Sequence, residues 1–112
     1  MATGGWRLST SGADTPAGES QIRKEMGLGA ADFLAALPRL LADYDWHGED
    51  GLVQARCGHR ELLIWYGPEG WRAIASVRLP TLPVTLVFRG FSEAERRSFL
   101  AHFDRRFRRG GG

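Results

Sequence analysis

The feature that most constrains the fold is a change in hydrophobic period near Tyr44. Before this residue apolar side chains recur with helical spacing, and after it they alternate with a period of two. Four turn-rich segments, HGEDG, CGH, GPEG and LPTLP, separate five short strand-like runs: 44–47, 52–57, 60–66, 71–79 and 84–90. Each link has about two to five residues, which suits a hairpin but is too short for a parallel crossover. The sequence therefore predicts an antiparallel β-meander of four or five strands.

Helices are predicted on both sides of the meander. The earlier helix has one apolar face, made of Phe33, Leu34, Leu37, Leu40, Leu41 and Tyr44. Pro38 lies inside this helix and is expected to kink it or to divide it in two. The later helix begins at a capping box, Ser92 with Glu95, and its apolar stripe is Phe99, Leu100, Phe103 and Phe107. Both helices should cover one face of the sheet, which gives a two-layer α+β fold.

The remaining segments complete the predicted domain organisation. Residues 1–19 are rich in Gly, Ser, Thr and Pro and are interpreted as a flexible leader. Residues 20–109 are expected to form a single α+β domain, which begins with a short helix from Ser20 to Gly27, and residues 110–112 a frayed glycine tail. A chain of 112 residues with 43% hydrophobic content can bury a core without disulfides or metal.

Composition narrows the cellular setting. Cys57 is the single cysteine, so an internal disulfide is excluded and a reducing, cytoplasmic location is expected. No apolar run approaches the roughly 18 residues of a membrane span. Fourteen of the fifteen basic residues are arginine, and glycine and alanine are abundant, as in proteins from GC-rich bacterial genomes. Residues 1–57 carry five basic and eight acidic side chains, whereas residues 58–112 carry ten basic and five acidic ones. An acidic partner is therefore expected to bind residues 58–112.

The face of the sheet opposite the helices is the predicted functional surface. Alternation assigns Trp71, Ala73, Ala75, Val77, Leu79, Val84, Leu86 and Phe88 to the helix-covered face. The outer face then mixes apolar residues with arginine, as protein interfaces do. The hypothesis is a non-catalytic accessory or protein-binding domain, with self-association as one form, that acts through Trp65, Arg72, Ile74, Arg78, Val87 and Arg89.

The alternative function is nucleic-acid binding. His102, Arg105, Arg106 and Arg109 recur at helical spacing and form a basic stripe beside the phenylalanines. Together with the arginines of the outer sheet face, this stripe could neutralise a few phosphates. No RNA-binding signature accompanies it, and the net charge of the chain is only +2.

Motifs for catalysis or metal binding are weak. Cys57 and His59 flank one turn, but no other histidine stands at metal-ligand spacing from them. Asp43, Asp45, Glu49 and Asp50 cluster around the first turn, where carboxylates commonly cap and solvate the chain. Neither a phosphate-binding glycine loop nor a nucleophile motif is present. No cofactor or metal is expected, and an enzyme is the less favoured interpretation.

Overall fold

The computed structural model describes the backbone of residues 19–111 and the side chains as far as Phe107. Six strands and two helices follow one another along this part of the chain. In order they are β1 (Glu19–Met26), α1 (Ala30–Leu40), β2 (Asp45–Glu49), β3 (Leu52–Cys57), β4 (Arg60–Tyr66), β5 (Gly70–Ile74), β6 (Val77–Arg89) and α2 (Glu93–Gly111). Almost all of the predicted leader, residues 1–19, lies outside the described residues, as does the last glycine.

The strands of the main sheet lie in the order β1-β6-β4-β3-β2, and every neighbouring pair is antiparallel. The second part of β6, from Leu82, pairs with β1 on one side, and from Val84 it also pairs with β4 on the other. The first part of β6, Val77 to Thr81, pairs only with β5. The predicted two-layer α+β fold with an antiparallel meander is confirmed, and the sheet has six strands.

The core lies between the helices and one face of the sheet. Even-numbered residues of β6, such as Leu86 and Phe88, meet Phe33 of α1 and Phe99 of α2 in one buried cluster. Strands β3 and β4 add Val53, Ala55, Leu62 and Ile64 to the same cluster. No polar or charged residue is fully buried among the described residues. Since this cluster takes buried residues from both helices and from three strands, burial of apolar area is what holds the two layers together.

Ser20 to Met26 lies in strand β1, and the short helix predicted from Ser20 to Gly27 is wrong. Gln, Arg, Lys, Glu and Met all favour helices, which made a helix the simple interpretation. The side chains of β1 nevertheless alternate in exposure, with Ile22 and Met26 packed on the core and Gln21 and Arg23 exposed. Eight residues of β1 pair with β6, and this pairing satisfies backbone groups that the long strand would otherwise leave open.

The predicted turn at residues 79–83 is also wrong, because β6 runs unbroken through both prolines. Pro80 lies where β6 has β5 as its one strand neighbour, and Pro83 precedes the start of pairing with β4. Proline lacks a backbone donor, so a strand tolerates it where one side has no partner strand. Pro80 therefore lies in the part of β6 that extends past the main sheet, and Pro83 lies where β6 is paired with β1 alone.

The helices agree with the prediction at the start of α2 and differ from it at Pro38 of α1. Pro38 does not divide α1, which continues to Leu40 with Pro38 in its last turn. The capping box of α2 is present: Ser92 N donates to Glu95 Oε1 at 2.8 Å, and Glu95 N donates to Ser92 Oγ at 3.0 Å. Helix α2 extends to Gly111.

The capping box makes one contribution to stability pH-dependent. The hydrogen bond from the Ser92 backbone, followed by the contact with His59, lowers the pKa of Glu95 below its ordinary value of 4.5. A lowered folded-state pKa stabilises the protein above the unfolded pKa, and this stabilisation is lost as pH falls through the folded pKa. We expect Glu95→Gln to be less stable than the wild type at pH 7 and nearly equal to it at low pH, as measured by urea unfolding.

Glu93→Gln is the control for loss of one negative charge in the first turn of α2. A wild-type advantage over Glu95→Gln that stays constant from neutral to acid pH would contradict this account, because the benefit would then not depend on ionisation.

Candidate functional site

The candidate site is a two-stranded arm, residues 70–81, formed by β5 and the first part of β6. The structure describes five large hydrophobic side chains that are exposed, and four of them lie in this arm. Their exposed fractions are 58% for Trp71, 51% for Ile74, 52% for Val77 and 41% for Leu79. Every residue from Trp71 to Leu79 is exposed. The arm is thus a concentrated apolar surface outside the core.

The strand register divides the arm into two faces. Ile74 is paired with Val77 and Arg72 with Leu79, so these four side chains share one face. We call Ile74, Val77 and Leu79 the aliphatic face. Trp71 is paired with Pro80 and Ala73 with Arg78 on the other side. There the Arg78 guanidinium lies 5.2 Å from the centre of the Trp71 ring, within cation–π range.

Contacts with the body hold the base of the arm. Arg72 Nη2 lies 3.4 Å from Glu25 Oε1 at the end of β1. The Gly67 N–H donates to the carbonyl oxygen of Pro83 at 3.0 Å. In the loop before the arm, Glu69 Oε1 accepts a hydrogen bond of 2.9 Å from Ala30 N and so caps the first turn of α1. These three contacts fix the direction in which the arm leaves the sheet.

The predicted helix-facing positions within the arm are wrong. Trp71, Ala73, Ala75, Val77 and Leu79 are all exposed, and none belongs to the core cluster. The prediction treated residues 71–79 as one strand followed by a turn at residues 79–83, whereas the chain turns at Ala75 and Ser76, between β5 and β6. Because β6 is continuous, Leu82, Val84, Leu86 and Phe88 face the helices, and odd-numbered residues such as Leu79 point to the other side. Val77 and Leu79 were thereby missed as surface residues.

The other three predicted contact residues lie on the body of the sheet: Trp65, Val87 and Arg89. Val87 is fully buried, although it lies on the face away from the helices. Trp65 is half-buried. Val87 therefore presents no surface to a partner, and the predicted site divides into arm residues, Arg72, Ile74 and Arg78, and sheet residues, Trp65, Val87 and Arg89.

Arg89 belongs to a row of alternating charges across the outer face. The strand register places five residues side by side, in the order Glu19, Arg89, Glu61, Arg56 and Asp45. Arg89 Nε lies 3.4 Å from Glu19 Oε1, and Arg89 Nη1 lies 3.8 Å from Glu61 Oε1. Arg56 Nη2 lies 3.5 Å from Glu61 Oε2. The charges of this row compensate one another, so it is a weak attractor for a charged ligand.

The basic stripe of α2 is only partly accessible. Arg105 is exposed, whereas Arg106 and His102 are half-buried. Arg106 Nε is buried and has no hydrogen-bond partner among the described residues. The side chain of Arg109 lies outside the described part of the chain.

Cys57 and His59 do not form a pair. His59 Nε2 lies 3.3 Å from Glu95 Oε1, while Cys57 Sγ accepts a hydrogen bond of 3.2 Å from Arg60 Nη2. This bond raises the pKa of the Arg60 guanidinium, which also lies 5.6 Å from the centre of the Tyr44 ring. Burial raises the pKa of the Tyr44 hydroxyl. Arg60 thus contacts both Cys57, beside the β3–β4 turn, and the ring of Tyr44, which packs against the core.

Among residues 19–111, no group of three or more His, Cys, Asp or Glu side chains is placed to hold a metal ion. The carboxylates Asp43, Asp45, Glu49 and Asp50 are all exposed. Neither described helix combines the length and apolar content that a bilayer crossing requires.

Comparisons with protein-family models, with curated proteins and with solved structures find no match to this chain.

Proposed function

We propose that this chain is a non-catalytic protein-binding domain and that the β5–β6 arm is its binding element. The observation that carries the proposal is the concentration of four half-exposed large apolar residues within nine consecutive positions, three of which, Ile74, Val77 and Leu79, share one face of the arm. Monomeric proteins expose single apolar residues widely, but a contiguous apolar patch usually marks a contact surface. Three residues of the predicted outer-face site, Arg72, Ile74 and Arg78, belong to the arm.

The energetics of the arm favour a bound state. A hairpin of two strands is marginal in water unless one of its faces packs against something else. The described body covers neither face of the arm between Trp71 and Leu79. Full burial of a Val, Leu or Ile side chain is worth about 1.5–3 kcal/mol, so covering the half-exposed residues would supply roughly 1 kcal/mol each. Trp71 and Arg78 add two of the residue types that are enriched at interface hot spots.

Nucleic-acid binding, the alternative, has weaker support from the charges. Arg72 is paired with Glu25, and Arg89 lies between Glu19 and Glu61. Phosphate binding requires arginines whose charge is available for counterion release. Binding to single-stranded or duplex DNA that weakens steeply with added salt would favour this alternative.

The test is site-specific photo-crosslinking in cells that express the chain natively. The crosslinking amino acid p-benzoylphenylalanine is placed at Val77, on the aliphatic face of the arm. We expect protein adducts at Val77 because that side chain lies in the proposed interface. The matched control is Ala35, an exposed position of α1 outside the arm. Equal adduct yields at Val77 and Ala35 would contradict the proposal.

A further inference from the structure

We infer that the partner of the aliphatic face is a second copy of this chain, packed on the first about a twofold axis. This inference rests on the proposed function, since it names the occupant of the same arm. It follows from the charge of the face, from its chemistry and from its size.

The aliphatic face carries no uncompensated charge. Residues 70–81 contain two arginines and no acidic residue. Arg78 lies on the opposite face, against Trp71, and Arg72 on the aliphatic face is paired with Glu25 at 3.4 Å. Two such faces can approach without charge repulsion. A strongly acidic partner would find no free cation there, and a basic partner no free carboxylate within the arm.

The complementary surface for Ile74, Val77 and Leu79 is an uncharged aliphatic patch. Outside the arm, the described residues include one exposed large hydrophobic side chain, Leu34, which is 38% exposed. The aliphatic face of a second copy is therefore the one matching patch that the described part of the chain offers. Self-packing of one patch is the isologous contact of a twofold dimer, which closes and does not form fibres.

Face-to-face packing is favoured over pairing of strand edges. Pro80 lies in the part of β6 that has β5 as its one strand neighbour. A second β6 added along the open edge would meet a proline that cannot donate a hydrogen bond, and proline at an edge disfavours such pairing. Packing through side chains does not involve this edge.

The size of the arm sets the expected affinity. A stable interface commonly uses about 20–30 residues from each partner, and the arm supplies twelve positions, 70–81. We therefore expect a weak dimer with a Kd on the order of 1–100 µM. Sedimentation velocity of the purified full chain across this concentration range, in a reducing buffer, should show a reversible shift from monomer to dimer.

A matched pair of charge variants identifies the face. Val77→Glu places a carboxylate on the aliphatic face, and Ala73→Glu places the same group on the opposite face of the arm. We expect Val77→Glu to raise the dimer Kd at least about tenfold and Ala73→Glu to change it by less than about threefold. Circular dichroism of both variants should match the wild type, since both positions are exposed.

Mixing the wild type with labelled Val77→Glu tests the twofold arrangement. In a twofold dimer both copies contribute the aliphatic face, so the variant should bind the wild type weakly. Unchanged binding would mean that the wild-type arm docks elsewhere on the variant, and it would overturn the inference.

Two further outcomes also overturn the inference. A wild-type chain that stays monomeric at every concentration excludes the second copy as partner. A dimer that Ala73→Glu disrupts and Val77→Glu does not would use the other face. The proposed function fails separately: if crosslinking at Val77 captures a different protein while the purified chain is monomeric, the arm still binds protein and only the identity of the partner is wrong.

Discussion

Gly90→Ala is expected to destabilise the protein by about 3–5 kcal/mol, which is enough to unfold much of the population of a small domain. Gly90 joins β6 to α2 and has a φ of +75°. A side chain in this region costs about 1–2 kcal/mol. A Cβ at this position would also overlap the carbonyl oxygen of His59. That oxygen belongs to the backbone of the β3–β4 turn, so relief requires movement of the turn and not of a flexible side chain.

Gly58→Ala separates the two causes. Gly58 also has a positive φ, +61°, but nothing lies within 4 Å of the position that a Cβ would occupy. This variant should lose only the backbone contribution, about 1–2 kcal/mol. Urea unfolding of both variants measures the difference. Equal losses for Gly90→Ala and Gly58→Ala would show that the close approach to His59 does not matter.

Phe88→Ala is the second large effect, with an expected loss of about 3–5 kcal/mol of unfolding free energy. Phe88 is fully buried near the end of β6. Its ring centre lies 5.0 Å from that of Phe91 and 5.8 Å from that of Phe99, both in edge-to-face arrangements. Truncation leaves a cavity where β6 meets the start of α2, and it removes two favourable ring contacts.

Phe107→Ala is the matched control, because Phe107 is the same residue type near the end of α2. Its ring is stacked on that of Phe33, but its side chain is only partly buried. Thermal and chemical unfolding should therefore show a clearly smaller loss for Phe107→Ala. A loss at Phe107 as large as that at Phe88 would place the main core at the other end of the helix.

The elements that the sequence predicted correctly depend on local chemistry. The capping box needs only Ser92 and Glu95, three positions apart, and it forms as expected. Strands β3 and β4 match their predicted ranges because short turns bound them on both sides. In each case the determining residues are neighbours in the sequence.

The elements that were missed depend on contacts between distant residues. The segment of β1 has helical propensity, and pairing with β6, some sixty residues later, overrides it. Pro80 and Pro83 resembled a turn because the sequence does not show which sides of β6 lack a partner. The sequence shows little sign of the arm, because the apolar residues of 71–79 stand at odd positions, as in a single strand with one buried face, and Ile74 is the exception.

The division of apolar residues between core and arm was invisible for the same reason. Leu79 and Leu82 are the same residue type three positions apart, yet Leu82 is fully buried and Leu79 is 41% exposed. The difference arises because the helices cover β6 from Leu82 onward and leave the preceding residues open. The hydrophobicity of the residues alone does not show where along β6 the contact with the helices ends.

The most direct test of this division is the unfolding free energy of a fourfold arm variant: Trp71→Ser, Ile74→Thr, Val77→Thr and Leu79→Thr. Threonine keeps the strand preference of the arm while it removes apolar surface. If these side chains serve a partner and not the core, a dilute monomer of the variant should unfold within about 1 kcal/mol of the wild type. A loss of about 4 kcal/mol or more, comparable to that of Phe88→Ala, would place the arm inside the core and contradict the account.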